Sequence, residues 1–473
     1  MKNIIFLLSD QQRQDTVSCY GQPLGTKFSL TPNLDRLAAE GTRFNCHISN
    51  QPVCGPARAC IQTGIYPSEL DCSVNDKGLI PGTKTLAHFM REAGYETAYV
   101  GKWHLASRYT GNPEHPEHAD YRTRAIPEAY RGGYKDYWVA SDVLEFTSHG
   151  EAGVMFDQDM NERHFDIYRV DATCNFALDF IRQPHERPFF LFVSFIEPHH
   201  QNDRGRVEGP EGWAEQYQDF PVPLDLQGTE GDWKKEMPDY LAACKSLDDN
   251  VGRIVNELKA TGLYDETLIF YTSDHSCHFR TRNSEYKRAC HDNATLVPFI
   301  AKGDVFDGGH VVDELSALID IAPTLLCAAG VEKPFYMPGE AMQKLVSEAQ
   351  AIHEAVYIQI SESGFGRAIR DHKFLYGVEV NFAPEALAED LNRLFSGDLE
   401  HAFNAQAHMT HFEERYFYDL EKDPYQRKNL VDDPAYQEQR AQYRRLLLRE
   451  LYAVEGQRGH IDAYGQAPQI FLR

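Results

Sequence analysis

The chain has 473 residues, of which 42% are hydrophobic, with 27 Phe and 25 Tyr, so it can bury a large core and intrinsic disorder is excluded. Its formal net charge of -24 argues against nucleic acid and anionic membrane surfaces as partners. The same charge sets a condition on chemistry: an enzyme this acidic, acting on an anionic substrate, must gather its scarce cations in one pocket.

Asn3–Leu8 reads as the first strand. Nothing ahead of it has the form of a secretory leader, because the apolar run ends at Ser9-Asp10 without a small-residue cleavage site. The expectation is a cytoplasmic chain, with the periplasm open if a leader was removed. Thr31 caps a helix with Pro32 at its first position. Thr85–Ala93 reads as a helix closed by Gly94, followed by a strand over Glu96–Val100. Asp171–Ile181 is a helix that leads into Phe189–Ile196, a buried strand and the longest apolar run, far short of a membrane span. Tyr240–Thr261 is a long helix, and Thr267–Thr272 and Val297–Ala301 are strands. This alternation means an α/β fold with a large, mainly parallel sheet sandwiched by helices.

Past about residue 335 the pattern changes. Tyr357–Ile360, Gly366–Arg370, His372–Tyr376 and Tyr416–Asp419 read as short antiparallel strands, and Asp433–Val454 as a polar helix. The expected division is a catalytic domain over 1–345 and an α+β subdomain over 346–473. Residues 105–165 and 200–235 have weak periodicity and read as long insertions over the active face.

Four strands end in residues that can do chemistry: Asp10-Gln11, then Lys102 and His104, then His199 and His200, then Asp274-His275. Ligands in open α/β sheets bind beyond the carboxyl ends of strands. Asp10, Gln11, Asp274 and His275 offer mostly oxygen ligands, which suit calcium or magnesium, while the imidazole leaves manganese or zinc open. Cys54 begins the run Cys54-Gly55-Pro56-Ala57-Arg58. Pro56 suits a first helical turn and Gly64 an end, so Cys54 stands at a helix N-terminus, where an anion is favoured, with Arg58 one turn on. The remaining nine cysteines form no CxxC pair and read as reduced, mostly buried thiols.

At this point the residues resemble the formylglycine-dependent sulfatases of the alkaline phosphatase superfamily. Cys54, Pro56 and Arg58 match the C-x-P-x-R motif that directs a maturation enzyme to oxidise the Cys to formylglycine (3-oxoalanine). Gly101-Lys102-Trp103-His104 matches the second sulfatase motif. Asn3–Asp10, Cys19-Tyr20-Gly21, Thr31–Asp35, Tyr271–His275 and Tyr418–Pro424 also look like the family. The resemblance implies an alkaline-phosphatase-like fold and a calcium ion held by Asp10, Gln11, Cys54 in its modified form, Asp274 and His275. It implies that Arg58 holds the formylglycine, Lys102 and Lys287 grip sulfate, His199 protonates the leaving alcohol, and His104 helps expel sulfate. It also implies two partners, a sulfated sugar as substrate and a formylglycine-generating enzyme.

Two departures bear on the ester class. The family often has Asp-Asp and Asp-Asn where this chain has Asp10-Gln11 and Asp274-His275. The combination found here also resembles phosphonate monoester hydrolases, which leaves phosphonate or phosphodiester hydrolysis as the alternative to sulfate ester hydrolysis. A non-catalytic binding module is disfavoured, because nucleophile, metal set, arginine, lysines and histidines are all present. The segment Ser276–Asn283 is basic. Its His278, Arg280 and Arg282 are expected to face the pocket and bind a further acidic group, and His200, beside His199, is a further candidate for substrate binding.

Overall fold

A computed structural model describes residues 1–109, 113–115, 117–381 and 410–466. Eleven strands form the main sheet. Its main members are β1 (Asn3–Ser9), β2 (Thr42–Ile48), β3 (Glu96–Lys102), β4 (Tyr137–Ser141), β5 (Phe189–Ser194), β6 (Thr267–Ser273), β7 (Leu296–Lys302) and β8 (His310–Ala317). They lie in the order β8-β2-β7-β6-β1-β5-β3-β4, and three short strands between residues 148 and 165 continue the edge beyond β4. The run β6-β1-β5-β3-β4 is parallel throughout, and β7 is antiparallel to both neighbours. The mainly parallel α/β fold expected from the sequence is present.

Burial on both faces explains why β1, β5 and β6 are nearly continuous apolar runs. Ile4, Phe6 and Leu8 point into one cluster, which holds helices α2 (Cys54–Thr63), α3 (Leu86–Glu92) and α6 (Ile321–Ala328). Ile5 and Leu7 point into the other, covered by α1 (Pro32–Glu40), α4 (Arg169–Ile181) and α5 (Trp233–Ala260). The first cluster continues without a break into a five-stranded second sheet of β9 (Val356–Ile360), β10 (Gly366–Arg370), β11 (Phe374–Glu379), β12 (His411–Asp419) and β13 (His460–Asp462). Helix α7 (Gln437–Glu455) packs on that sheet through Tyr443, Leu447 and Leu451.

Several expectations shift. Thr31 occupies the cap position of α1, but its hydroxyl accepts from the Ser18 amide at 2.7 Å rather than capping the helix. Helix α5 begins at Trp233, upstream of Pro238, whose missing amide costs one hydrogen bond while the buried face of the helix holds it in place. Residues 105–165 are not simply an insertion, because β4 within them is a fully paired strand of the main sheet. Its Trp138, Val139 and Ala140 are buried on both faces, so no alternation marks them. Among the described residues, no helix is long and apolar enough to cross a membrane.

Gly101 lets β3 approach β5. Its φ is +106°, and an added Cβ would stand 1.9 Å from the Ser194 carbonyl oxygen. Gly101→Ala is expected to destabilise the protein by about 3 kcal/mol or more and to displace the adjoining Lys102, as read by urea denaturation. Wild-type stability would remove this account of the glycine.

Candidate active site

The order β6-β1-β5-β3 sets four strand ends side by side. Asp274 and His275 follow β6, Asp10 and Gln11 follow β1, the His199 loop follows β5, and Lys102 closes β3. Cys54 is the first residue of α2 and is buried. Gly64 ends that helix in the left-handed region, as its position suggested. The Cys54 Sγ lies 2.7 Å from Lys287 Nζ, 3.2 Å from His275 Nε2 and 3.4 Å from Asp10 Oδ1. Burial alone would raise the thiol pKa, but Lys102, Lys287 and His275 outweigh it and hold Cys54 far below the usual thiol range.

Asp10, Cys54, Asp274 and His275 offer ligand atoms that all lie within 4.8 Å of one another. Three details suit a cation. The Gln11 amide nitrogen donates to Cys277 Sγ at 3.2 Å, leaving its Oε1 buried without a hydrogen-bond partner. Asp274 Oδ2 is likewise buried without one. His275 Nδ1 sits 3.0 Å from the Ser276 carbonyl, which fixes the proton there and frees the Nε2 lone pair to face the cluster. Burial and the neighbouring Asp10 raise the Asp274 carboxyl, as expected of two acids buried side by side. Gln11 is itself held at a φ of +69°, an uncommon conformation for a non-glycine residue.

Arg58 spends its whole fork on this centre. It donates to Ser194 Oγ at 2.6 Å, the Lys102 carbonyl at 2.9 Å and Asp10 Oδ2 at 3.0 Å, and its Nε lies 3.3 Å from Asp274 Oδ2. Lys102 Nζ donates to Asp10 Oδ2 at 2.8 Å. Lys287 Nζ touches Cys54 Sγ and also lies 3.1 Å from His199 Nε2. His104 faces Asp76 at 3.6 Å. Burial would lower its imidazole, but hydrogen bonds to Asp76 and Cys54 outweigh that and raise it to about 9. Three fixed cations and three histidines, His104, His199 and His275, thus gather around one sulfur atom on a strongly acidic chain. This arrangement can hold an anion against a nucleophile and supply a proton to a leaving group.

The family model described as Sulfatase matches residues 2–331. The chain belongs to the sulfatase family. This sulfatase is 31% identical over 398 residues to the uncharacterized sulfatase YidJ of Escherichia coli K12, covering 77% of this chain and 75% of that protein. It is 27% identical over 414 residues to an N-acetylglucosamine-6-O-sulfatase of Bacteroides thetaiotaomicron, covering 73% and 70%. A solved structure in complex with its substrate D-glucosamine-2-N,6-O-disulfate shares the fold at a TM-score of 0.72 and 21% identity, covering 98% of this chain and 100% of that one. The enzyme is therefore a hydrolase of sulfate esters.

The basic segment of the sulfatase is arranged differently from expectation. His278 is buried, its Nε2 bonds the Lys287 carbonyl at 2.9 Å, and burial lowers it to about 4, so it is a neutral brace for the loop that carries Lys287. Arg282 donates to the backbone carbonyls of Tyr425 and Gln426 at 3.2 and 2.9 Å, which ties the loop to the C-terminal part. His278 thus has no charge to offer a substrate acid, and Arg282 has its Nη2 committed to the backbone of the C-terminal part. Arg280 stays on the surface over the Tyr286 ring, 4.7 Å from its centroid, and His200 stacks on that ring with a centroid distance of 4.2 Å. Arg280 is thus exposed, whereas His200 is buried beside the same ring.

Sequence reasoning missed Glu145, Ser194, Asn75 and Asp76. Asn75 Oδ1 accepts the Gly55 amide at 2.9 Å at the start of α2. The Asn75 amide in turn donates to Glu362 at 2.5 Å, a residue that also pairs with Arg288 at the same distance. No motif or spacing marks these residues, because their partners come from distant parts of the chain.

Proposed function

We propose that this sulfatase removes sulfate from a sulfated carbohydrate, with Cys54 oxidised to formylglycine and a calcium ion held by Asp10, Gln11, Asp274 and His275. The observation that carries the reading is the position of Cys54 Sγ. It stands at a helix N-terminus, between two carboxylates and an imidazole on one side and Lys287 on the other. The sulfur marks where the oxygens of the oxidised side chain would stand. Formylglycine supplies a hydrated aldehyde, one hydroxyl of which serves as nucleophile. Calcium, when bound, would supply fixed positive charge for an anionic ester.

The remaining roles belong to the chain itself. Lys102 and Lys287 grip sulfate oxygens and oppose the charge that develops on them. Arg58 holds Asp10 and Asp274 in place and orients the residue at 54. His199, with Nε2 3.1 Å from Lys287 Nζ, gives its proton to the departing alcohol, and His104 takes part in releasing sulfate. Residues 1–345 carry every reacting group in this reading, and Glu362 from the following region braces Asn75 and Arg288 beside them. The exposed Arg280, over the Tyr286 ring that His200 backs, is the group a bound sugar would meet.

Matched 4-nitrophenyl sulfate, phosphodiester and phenylphosphonate substrates test the ester class, followed by a panel of sulfated mono- and disaccharides. Matured enzyme is expected to prefer sulfate by about 100-fold or more, in line with the sulfatase family match, since all three substrates are monoanions and charge alone does not separate them. A comparable preference for either phosphorus ester would replace the sulfate reading by the phosphonate or phosphodiester one, which the Gln11 and His275 pair also suits.

A further inference from the structure

Glu145 lies in the short helical turn Leu144–Thr147 and is buried. Its Oε2 stands 3.5 Å from His199 Nδ1 and 3.5 Å from Lys102 Nζ. Its Oε1 accepts from Asn202 Nδ2 at 2.7 Å, and its backbone carbonyl accepts from Gln201 Nε2 at 2.9 Å. The carboxylate is thus clamped from the loop that carries His199. His199 Nδ1 has no closer polar partner, and its other nitrogen faces Lys287 and, beyond it, Cys54. Glu145 Oε2 and Lys287 Nζ therefore flank the His199 ring, the carboxylate at Nδ1 and the ammonium at Nε2.

We propose that Glu145 is a positioning residue that holds His199 in the orientation of a general acid. The inference rests on the reading of His199 as the group that protonates the alcohol. As the S–O bond breaks, its electron pair stays on the ester oxygen. The Nε2–H proton passes to that oxygen, leaving a neutral imidazole whose Nδ1–H still faces Oε2. The Asn202 clamp fixes Oε1 so that Oε2 is the atom presented to His199. Burial would raise the Glu145 carboxyl, but His199 and Lys102 outweigh it and keep it ionised.

The test compares matured wild type with Glu145→Gln across sulfate esters of graded leaving-group acidity. A sugar or alkyl sulfate needs the proton, whereas 4-nitrophenolate departs with little help. The expected result is a fall in kcat of about 100-fold on the sugar sulfate and under about fivefold on 4-nitrophenyl sulfate. Inhibition by inorganic sulfate should stay within about threefold of wild type, because Lys102 keeps Asp10. Asn202→Ala should show the same selectivity at about a tenth of the size. Glu145→Gln added to His199→Gln should cost less than about twofold more. Equal losses on all leaving groups, or a loss of sulfate binding matching the loss of kcat, would overturn the proposal and point to Lys102 instead. His199→Gln run alone separates the two levels. If it lacks leaving-group selectivity, the reading of His199 fails and takes this proposal with it. If it has selectivity and Glu145→Gln does not, only the role of Glu145 fails.

Discussion

Cys54→Ala is expected to lose turnover by about 10⁴-fold or more while keeping the fold and calcium binding. The side chain stands at the first residue of a buried helix, with Lys287, His275 and Asp10 all directed at its sulfur. An alanine there removes the reacting atom and leaves the surrounding charges in place. Calcium should still raise the melting temperature of the variant, because Asp10, Gln11, Asp274 and His275 remain. The matured wild-type protein should weigh about 18 Da less than its encoded mass through oxidation of Cys54 to the aldehyde, or close to the encoded mass if hydrated. An alanine variant that still turns over at a tenth of the wild-type rate would remove Cys54 from the reaction.

Arg58→Ala should produce the largest loss of stability in the site, about 3–5 kcal/mol in the presence of a chelator. Arg58 is buried beside two equally buried carboxylates, Asp10 and Asp274, and also holds the Lys102 carbonyl and Ser194. Truncation leaves charges that nothing else nearby can fully compensate. Calcium would neutralise the same carboxylates, so saturating calcium should recover a substantial part of the loss. Urea denaturation of wild type and variant, each with chelator and with calcium, measures this coupling. Identical losses in both conditions would show that arginine and ion do not share the two acids.

What the sequence made legible follows from where information is local. A buried parallel strand is an apolar run, and the polar residue just past its end is visible as a break, which is how Asp10, Lys102, His199 and Asp274 stood out. Cys54 stood out because Pro56 and Gly64 bracket a short helix. Strand β2 left a period-two signal in Phe44, Cys46 and Ile48 that could have been taken for a strand. Glu145 left none, since its meaning comes from His199 and Asn202, more than fifty residues away. The basic segment misled for the same reason. Its charges are visible along the chain, but the carbonyls of Tyr425 and Gln426 that absorb Arg282 lie 143 and 144 residues further on.

The family match ends at residue 331, yet Glu362 beyond it reaches back to Asn75 and Arg288, beside the start of α2 and the lysine that faces Cys54. The first core cluster also runs from Phe6 in β1 to Leu447 in α7. The C-terminal portion is therefore not a detachable module. A chimera that borrowed this region from a relative to change which sugar is accepted would have to preserve an acid at 362 and the apolar seam beneath it. Otherwise the transplant would alter the chemistry along with the specificity.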